Sequence, residues 1–229
     1  DTPDPSVTGQ AVTVSASVTV TAPGSGTPTG TISVTAPGSG GCSIALPATS
    51  CALTFTAAGA TTISAQYTGN ANFAASNTAT AAHQVNKADT STGLGLSTST
   101  SVFGQSVTLT ATVTATAPGA GTASGTVTFF DGATTLGSGT LSGGVATLSV
   151  STLAVGSHPN LTASYGGDAN FNTSVSSAQS LTVSKAGTGS ALGVAPASSS
   201  FGQMVTLTAT ITATAPGAGT PTGTVTFFD

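Results

Sequence analysis

"SVTLTATVTAT", Ser106–Thr116, decides the fold. Val107, Leu109, Ala111, Val113 and Ala115 fall on one face of an extended chain, and Thr108, Thr110, Thr112 and Thr114 fall on the other. Successive side chains of a strand point to opposite sides, so this alternation describes a strand with one buried face. Working outward, "TAPGAGTASG" (Thr116–Gly125) supplies the Pro and Gly of a turn. "TVTFF" (Thr126–Phe130) is a second strand, and Asp131-Gly132 is a hairpin signal. "GTLSGGVATLSV" reads as strand, turn, strand, and in "GSHPNLTASY" the residues Leu161, Ala163 and Tyr165 share a face. "SVSSAQSLTVSK" closes the unit, and no stretch has a helical period.

The chain repeats itself. "GQAVTVSASVTVTAPGSGTPTGTISV" begins at Gly9, and close variants begin at Gly104 and Gly202, offsets of 95 and 98 residues. "YTGNANF" from Tyr67 returns as "YGGDANF" from Tyr165, again 98 residues on. Solenoid repeats run about 20–45 residues, so a unit of this length is a whole domain. About seven short strands with turns every 8–12 residues form the immunoglobulin-like sandwich pattern, with an open-ended barrel as the alternative. The fold class is all-β: tandem immunoglobulin-like β-sandwiches. The expected units are 1–86, N-terminally incomplete; 87–184, complete; and 185–229, first strands only. Two strands cannot bury a sandwich core. The third unit is therefore expected to continue in a longer array or, as the alternative, to be completed by strands of another chain.

Composition narrows the function classes. Only 3% of the 229 residues are charged, against roughly 25% in an ordinary soluble protein. There is no Arg or Glu; the cations are Lys87 and Lys185, and the net charge is −4. That argues against a nucleic-acid partner, which needs cations to neutralise phosphates. No apolar run approaches the roughly 20 residues of a membrane-spanning helix, so no membrane insertion is expected in this segment. No secretory signal pattern is present, and the sequence reads as a mature segment or an internal fragment. So few charges leave an isolated monomer open to association. Neighbours in an assembly, or sugars on the abundant hydroxyls, are therefore expected. "NLT" at Asn160 and "NTS" at Asn172 match the N-glycan acceptor pattern, but O-linked sugar on the Thr-rich faces is the favoured form.

These phrases resemble the bacterial Ig-like domain repeat proteins. The resemblance rests on "GTVTFFDGATTLGSGTL", on "LAVGSHPNLTASYGGDANFNTSVSS", and on "SLTVSKA" leading straight into the next unit. In the first unit it rests on "GCSIALPATSCALTFTAAGATTISAQYTGNANFAAS", so it covers nearly the whole chain. It implies a secreted or surface-anchored protein whose tandem domains act as stalks, adhesins or appendage building blocks. The fold alone carries many functions.

Candidate sites are few. Cys42 and Cys51 bracket "SIALPATS" and align with neighbouring strands around a hairpin, so a disulfide and an oxidising compartment are expected. A metal pair or redox thiols would need CxxC spacing or a nearby His. Asp168 and Asn70 hold the same place in the two corner motifs. Calcium takes six to eight oxygens, usually several carboxylates, so a turn is favoured over a metal and Asp168 is a weak metal candidate. Tyr67, Phe73, Tyr165 and Phe171 read as core or corner anchors. His83 and His158 occupy different places in their units, with no acidic partner apparent. There is no G-x-S-x-G elbow, H-E-x-x-H helix or carboxylate pair, so no enzyme activity and no cofactor are expected. An intramolecular Lys–Asn crosslink would need a buried Lys, whereas Lys87 and Lys185 sit at unit junctions. Those junctions carry no long flexible tract, so the array is expected to be extended and semi-stiff. The expected role is a structural extracellular stalk or filament built on self-association or neighbouring repeats. The alternative is an adhesin module for a glycan or surface ligand, and charge-poor edge strands leave an edge-to-edge interface open.

Overall fold

The computed structural model describes all 229 residues. Unit 1 contains β1 (Ser6–Val7), β2 (Ala11–Ser15), β3 (Thr31–Thr35), β4 (Cys42–Ala45), β5 (Ser50–Thr54), β6 (Gly59–Tyr67) and β7 (Ala79–Asn86). Unit 2 contains β8 (Thr90–Leu96), β9 (Thr100–Val102), β10 (Val107–Ala115), β11 (Thr126–Asp131), β12 (Thr134–Thr140), β13 (Val145–Val150), β14 (Gly156–Tyr165), β15 (Ser174–Val175) and β16 (Gln179–Ser184). The remaining residues form a two-stranded ribbon of β17 (Thr188–Ala195) and β18 (Thr206–Ala213).

Unit 2 is a sandwich. One sheet runs β13-β10-β8 and the other β12-β11-β14-β16-β9, with β15 off its path against β14. All pairs are antiparallel except β9, which lies parallel to β16. The alternation of the opening stretch is realised directly. Val107, Leu109, Ala111 and Val113 are buried, and the threonines between them face outward or sit at the margin. From the facing sheet come Val127, Phe129, Leu161, Ala163 and Tyr165, all 0% exposed. Together they anchor a core of 19 buried residues.

Unit 1 repeats this plan on a smaller scale. Its sheets run β1-β7-β6-β3-β4 and β2-β5, and its core has 10 buried residues. Within residues 1–86 a single antiparallel bridge, Thr2–Thr13, stands in the place of β8, so β2 is paired along its length only by β5. The effect is visible residue by residue. Val113 is buried beneath β8, whereas Val18, at the same place in the repeat, is half-exposed. Among residues 185–229 none is buried, as two strands alone cannot enclose a core.

The fold corrects one expectation about the cysteines. Cys42 and Cys51 are joined as a disulfide with Cα atoms 6.1 Å apart, but they do not flank a hairpin. β4 pairs with β3 in the larger sheet and β5 with β2 in the smaller one. The turn Leu46–Thr49 carries the chain across the sandwich, and Pro47 within it has no N–H to continue a ladder. The bond therefore ties the two layers together at their edge.

Candidate functional site: corners, histidines and the joint between units

The corner after β14 is built on Asp168. Its Oδ2 accepts from the Ser124 backbone N–H and hydroxyl at 2.9 and 2.7 Å, and its Oδ1 accepts from the N–H groups of Asn170 and Phe171 at 2.8 and 2.9 Å. Burial works against the charge, but the hydrogen bonds outweigh it and bring the carboxyl down to about 2. Both oxygens are thus engaged in holding a turn against the β10–β11 loop. Asn70 does the same work in unit 1, accepting from Asn72 and Phe73 and donating to Thr29. The Tyr67 hydroxyl donates to the Thr29 carbonyl at 2.6 Å. The Tyr165 hydroxyl is buried without a partner, and burial, then the nearby Asp168 charge, push it up to about 12. Tyr67, Tyr165 and Phe171 are buried; Phe73 is half-exposed.

Both histidines have acidic partners, which corrects the sequence reading. His83 places Nδ1 2.5 Å from Asp1 Oδ2 and Nε2 2.8 Å from Ser6 Oγ, and its ring stacks on Phe55. Asp4 Oδ1 lies 3.4 Å from the same Nδ1. The order Ser–His–Asp matches that of a hydrolytic triad, but Ser6 is 0% exposed, so no substrate carbonyl reaches its Oγ. The corresponding residue of unit 2 is the buried Leu181, which makes His83 a core residue with its polar atoms satisfied. These partners lie 82 and 77 residues from His83 and meet only because β1 lies parallel to β7.

His158 sits at the edge of β14, with Nδ1 2.6 Å from Asp131 Oδ2 and Nε2 2.8 Å from the Ala154 carbonyl. The hydrogen bond to the Ala154 carbonyl raises its pKa, burial opposes this, and Asp131 adds to the rise. A raised value means that the protonated form stabilises the fold below the ordinary 6.5, and that this contribution is lost as pH rises through the elevated value. Following the His158 ring protons by NMR should give a midpoint above 6.5, and Asp131→Asn should lower it. A midpoint at or below 6.5 in the parent chain would contradict this geometry.

The joint between units is short and docked. Only Lys87, Ala88 and Asp89 separate β7 from β8. Ala88 is 0% exposed; its N–H donates to the Asn170 carbonyl and its carbonyl accepts from the Asn172 N–H, both at 2.9 Å. The exposed Lys87 donates from Nζ to the Asp168 carbonyl at 2.5 Å, and the Asn172 carboxamide donates to Asp89. The unit 2 corner therefore grips the chain entering its own unit. Val7 of unit 1 packs against the unit 2 core.

One contact recurs. The Ala120 N–H, in the Ala-Pro-Gly turn of unit 2, donates to the Thr8 carbonyl at 3.1 Å; the Ala218 N–H donates to the Phe103 carbonyl at 3.1 Å. Gly9 and Gly104, the residues after the two acceptors, have φ of +79° and +82°. A Cβ there would fall 2.2 Å from the Ala120 oxygen or 2.5 Å from the Ala218 oxygen. The repeated Gly-Gln is therefore the socket for the next unit's turn, and only glycine lets the two backbones approach.

The profile of the bacterial Ig-like domain (group 3) family matches residues 1–86 and 94–184. The chain belongs to this family. Its all-β sandwich units are of a kind that is typically extracellular, serves structure or adhesion, and is generally not enzymatic. Among solved structures, fibronectin(III)-like modules of Clostridium thermocellum CbhA are similar at 17% identity, over 81% of this chain and 92% of that one, with a TM-score of 0.33. Immunoglobulin domains 1–5 of Sidekick-1 are similar at 13% identity, over 67% of this chain and 33% of that one, with a TM-score of 0.29. No curated protein matches. The sequence signal that the joint left was the repeat of Gly-Gln and Ala-Pro-Gly itself; that the two meet across a unit boundary is visible only in three dimensions.

Proposed function

We propose that this bacterial Ig-like chain is a structural extracellular repeat module that forms a stalk or filament at the cell surface. The observation that carries the reading is the recurrence of the Ala120–Thr8 contact as Ala218–Phe103, one unit further along. Units joined by three residues and docked through a shared main-chain contact at each boundary transmit force and hold spacing, as a free linker would not. The disulfide across the sandwich edge of unit 1 suits an oxidising exterior. The partners of such a module are neighbouring units of the same array, within or between chains.

Electron microscopy of the purified chain, together with antibody labelling of intact producing cells, tests the proposal. It expects straight particles with units end to end and label outside the cell. Gly9→Val should bend or loosen the first joint, because its side chain cannot share space with Ala120. Gly202→Val is the control: Gly202 has a similar φ of +83° but no neighbour within 4 Å. Randomly angled units in the parent chain, or label confined to the cytoplasm, would count against a stalk. If exchanging unit 1 for unit 2 abolished attachment to a defined glycan, the adhesin reading would take its place.

A further inference from the structure

The side chain of Asn170 has a role that the corner turn does not require. The turn is held by Asp168, whose Oδ1 takes the Asn170 and Phe171 N–H groups. Asn170 then uses its carbonyl for the Ala88 N–H of the linker. Its carboxamide is left to point out of the unit, where Oδ1 accepts from the Ala58 N–H of unit 1 at 3.0 Å, 112 residues away. Ala58 lies in the loop between β5 and β6, and the Ala120–Thr8 contact involves the loop between β1 and β2. One hydrogen bond between two bodies leaves them free to rotate about it; a second, from a different loop, removes that freedom.

We propose that Asn170 is the angle lock of the joint: it fixes the orientation of unit 1 relative to unit 2 by capturing a main-chain N–H of the preceding unit. The "D-A-N-F" corner is then two devices in sequence. Asp168 folds the turn, and Asn170 two residues later engages the neighbour. Unit 1 carries the same arrangement. Asn70 folds its corner, and Asn72 presents an exposed carboxamide with no side-chain partner in this chain. The partner fitting that corner is a second unit of this same class offering the N–H of its β5–β6 loop. This inference deepens the stalk reading and rests on it for its biological meaning, but its geometry is testable by itself.

The test measures the distance between spin labels carried on non-natural residues at the exposed positions Thr54 of unit 1 and Thr147 of unit 2. The full chain is compared with Asn170→Ala and Asn170→Asp, and unit 2 melting is recorded for each. The parent should give one narrow distance distribution. Asn170→Ala should lose it, with the unit 2 melting midpoint unmoved. Asn170→Asp keeps an acceptor oxygen and should restore the narrow distribution. If Asn170→Ala is as narrow as the parent, the lock is refuted while the stalk stands. If the parent itself is broad, the joint is not fixed and both readings fall.

Discussion

Phe129→Ala is expected to cost unit 2 about 3–5 kcal/mol, the range for truncating a buried phenylalanine. Phe129 is 0% exposed on β11, the strand that pairs with both β12 and β14. Its ring belongs to the 19-residue core, and an alanine would leave a void beside the strands that flank β11. A domain of this size is stable by roughly 5–15 kcal/mol, so a large share of unit 2's stability would go. Chemical denaturation followed by NMR signals of each unit checks this. The unit 2 transition should fall steeply, and unit 1, whose core of 10 residues is separate, should shift far less. Equal losses in both units would mean that the cores are not independent.

Removing the Cys42–Cys51 bond should cost unit 1 roughly 2–3 kcal/mol, the chain-entropy value for a loop this short. The effect falls on the unit less able to absorb it. Unit 1 has about half as many buried core residues as unit 2, and on the edge away from β5 its β2 is held only by the Thr2–Thr13 bridge. Because the bond joins β4 and β5 from opposite sheets, its loss also frees the layers to separate at that edge. Cys42→Ser with Cys51→Ser, or reduction of the parent, should lower the unit 1 denaturation midpoint and leave unit 2, which has no cysteine, in place. An unchanged unit 1 midpoint would show that the bond closes a loop already closed by packing.

Much of the fold could be read residue by residue, because burial on a pleated strand is a local property. Val107, Leu109, Ala111 and Val113 are buried, and Leu161, Ala163 and Tyr165 with them, as their spacing requires. What depended on which sheet a strand joins was not legible. "GTLSGGVATLSV" does read as strand, turn, strand, yet β12 and β13 lie in opposite sheets; the same crossing in unit 1 makes the disulfide an inter-sheet bond. The pattern of Val18 matches that of Val113, but burial also needs a neighbour, and only Val113 has β8 beside it. His83 shows the same limit: Asp1 and Ser6 are remote in sequence and are brought to it by a parallel pairing that no local pattern encodes. Gly9 and Gly104 stood out in the sequence only as the starts of a repeated phrase, whereas the backbone they admit belongs to the next unit.

The central claim is that adjacent units are held at a fixed mutual orientation. Residual dipolar couplings of the backbone N–H groups, measured on the full chain in one weakly aligned sample, test it most directly. If units 1 and 2 move as one body, couplings from both will fit a single alignment tensor, with the same axes and magnitude, when the two units are oriented as in this structure. Two tensors of different magnitude would mean that the three-residue joint swings freely, and would contradict the account.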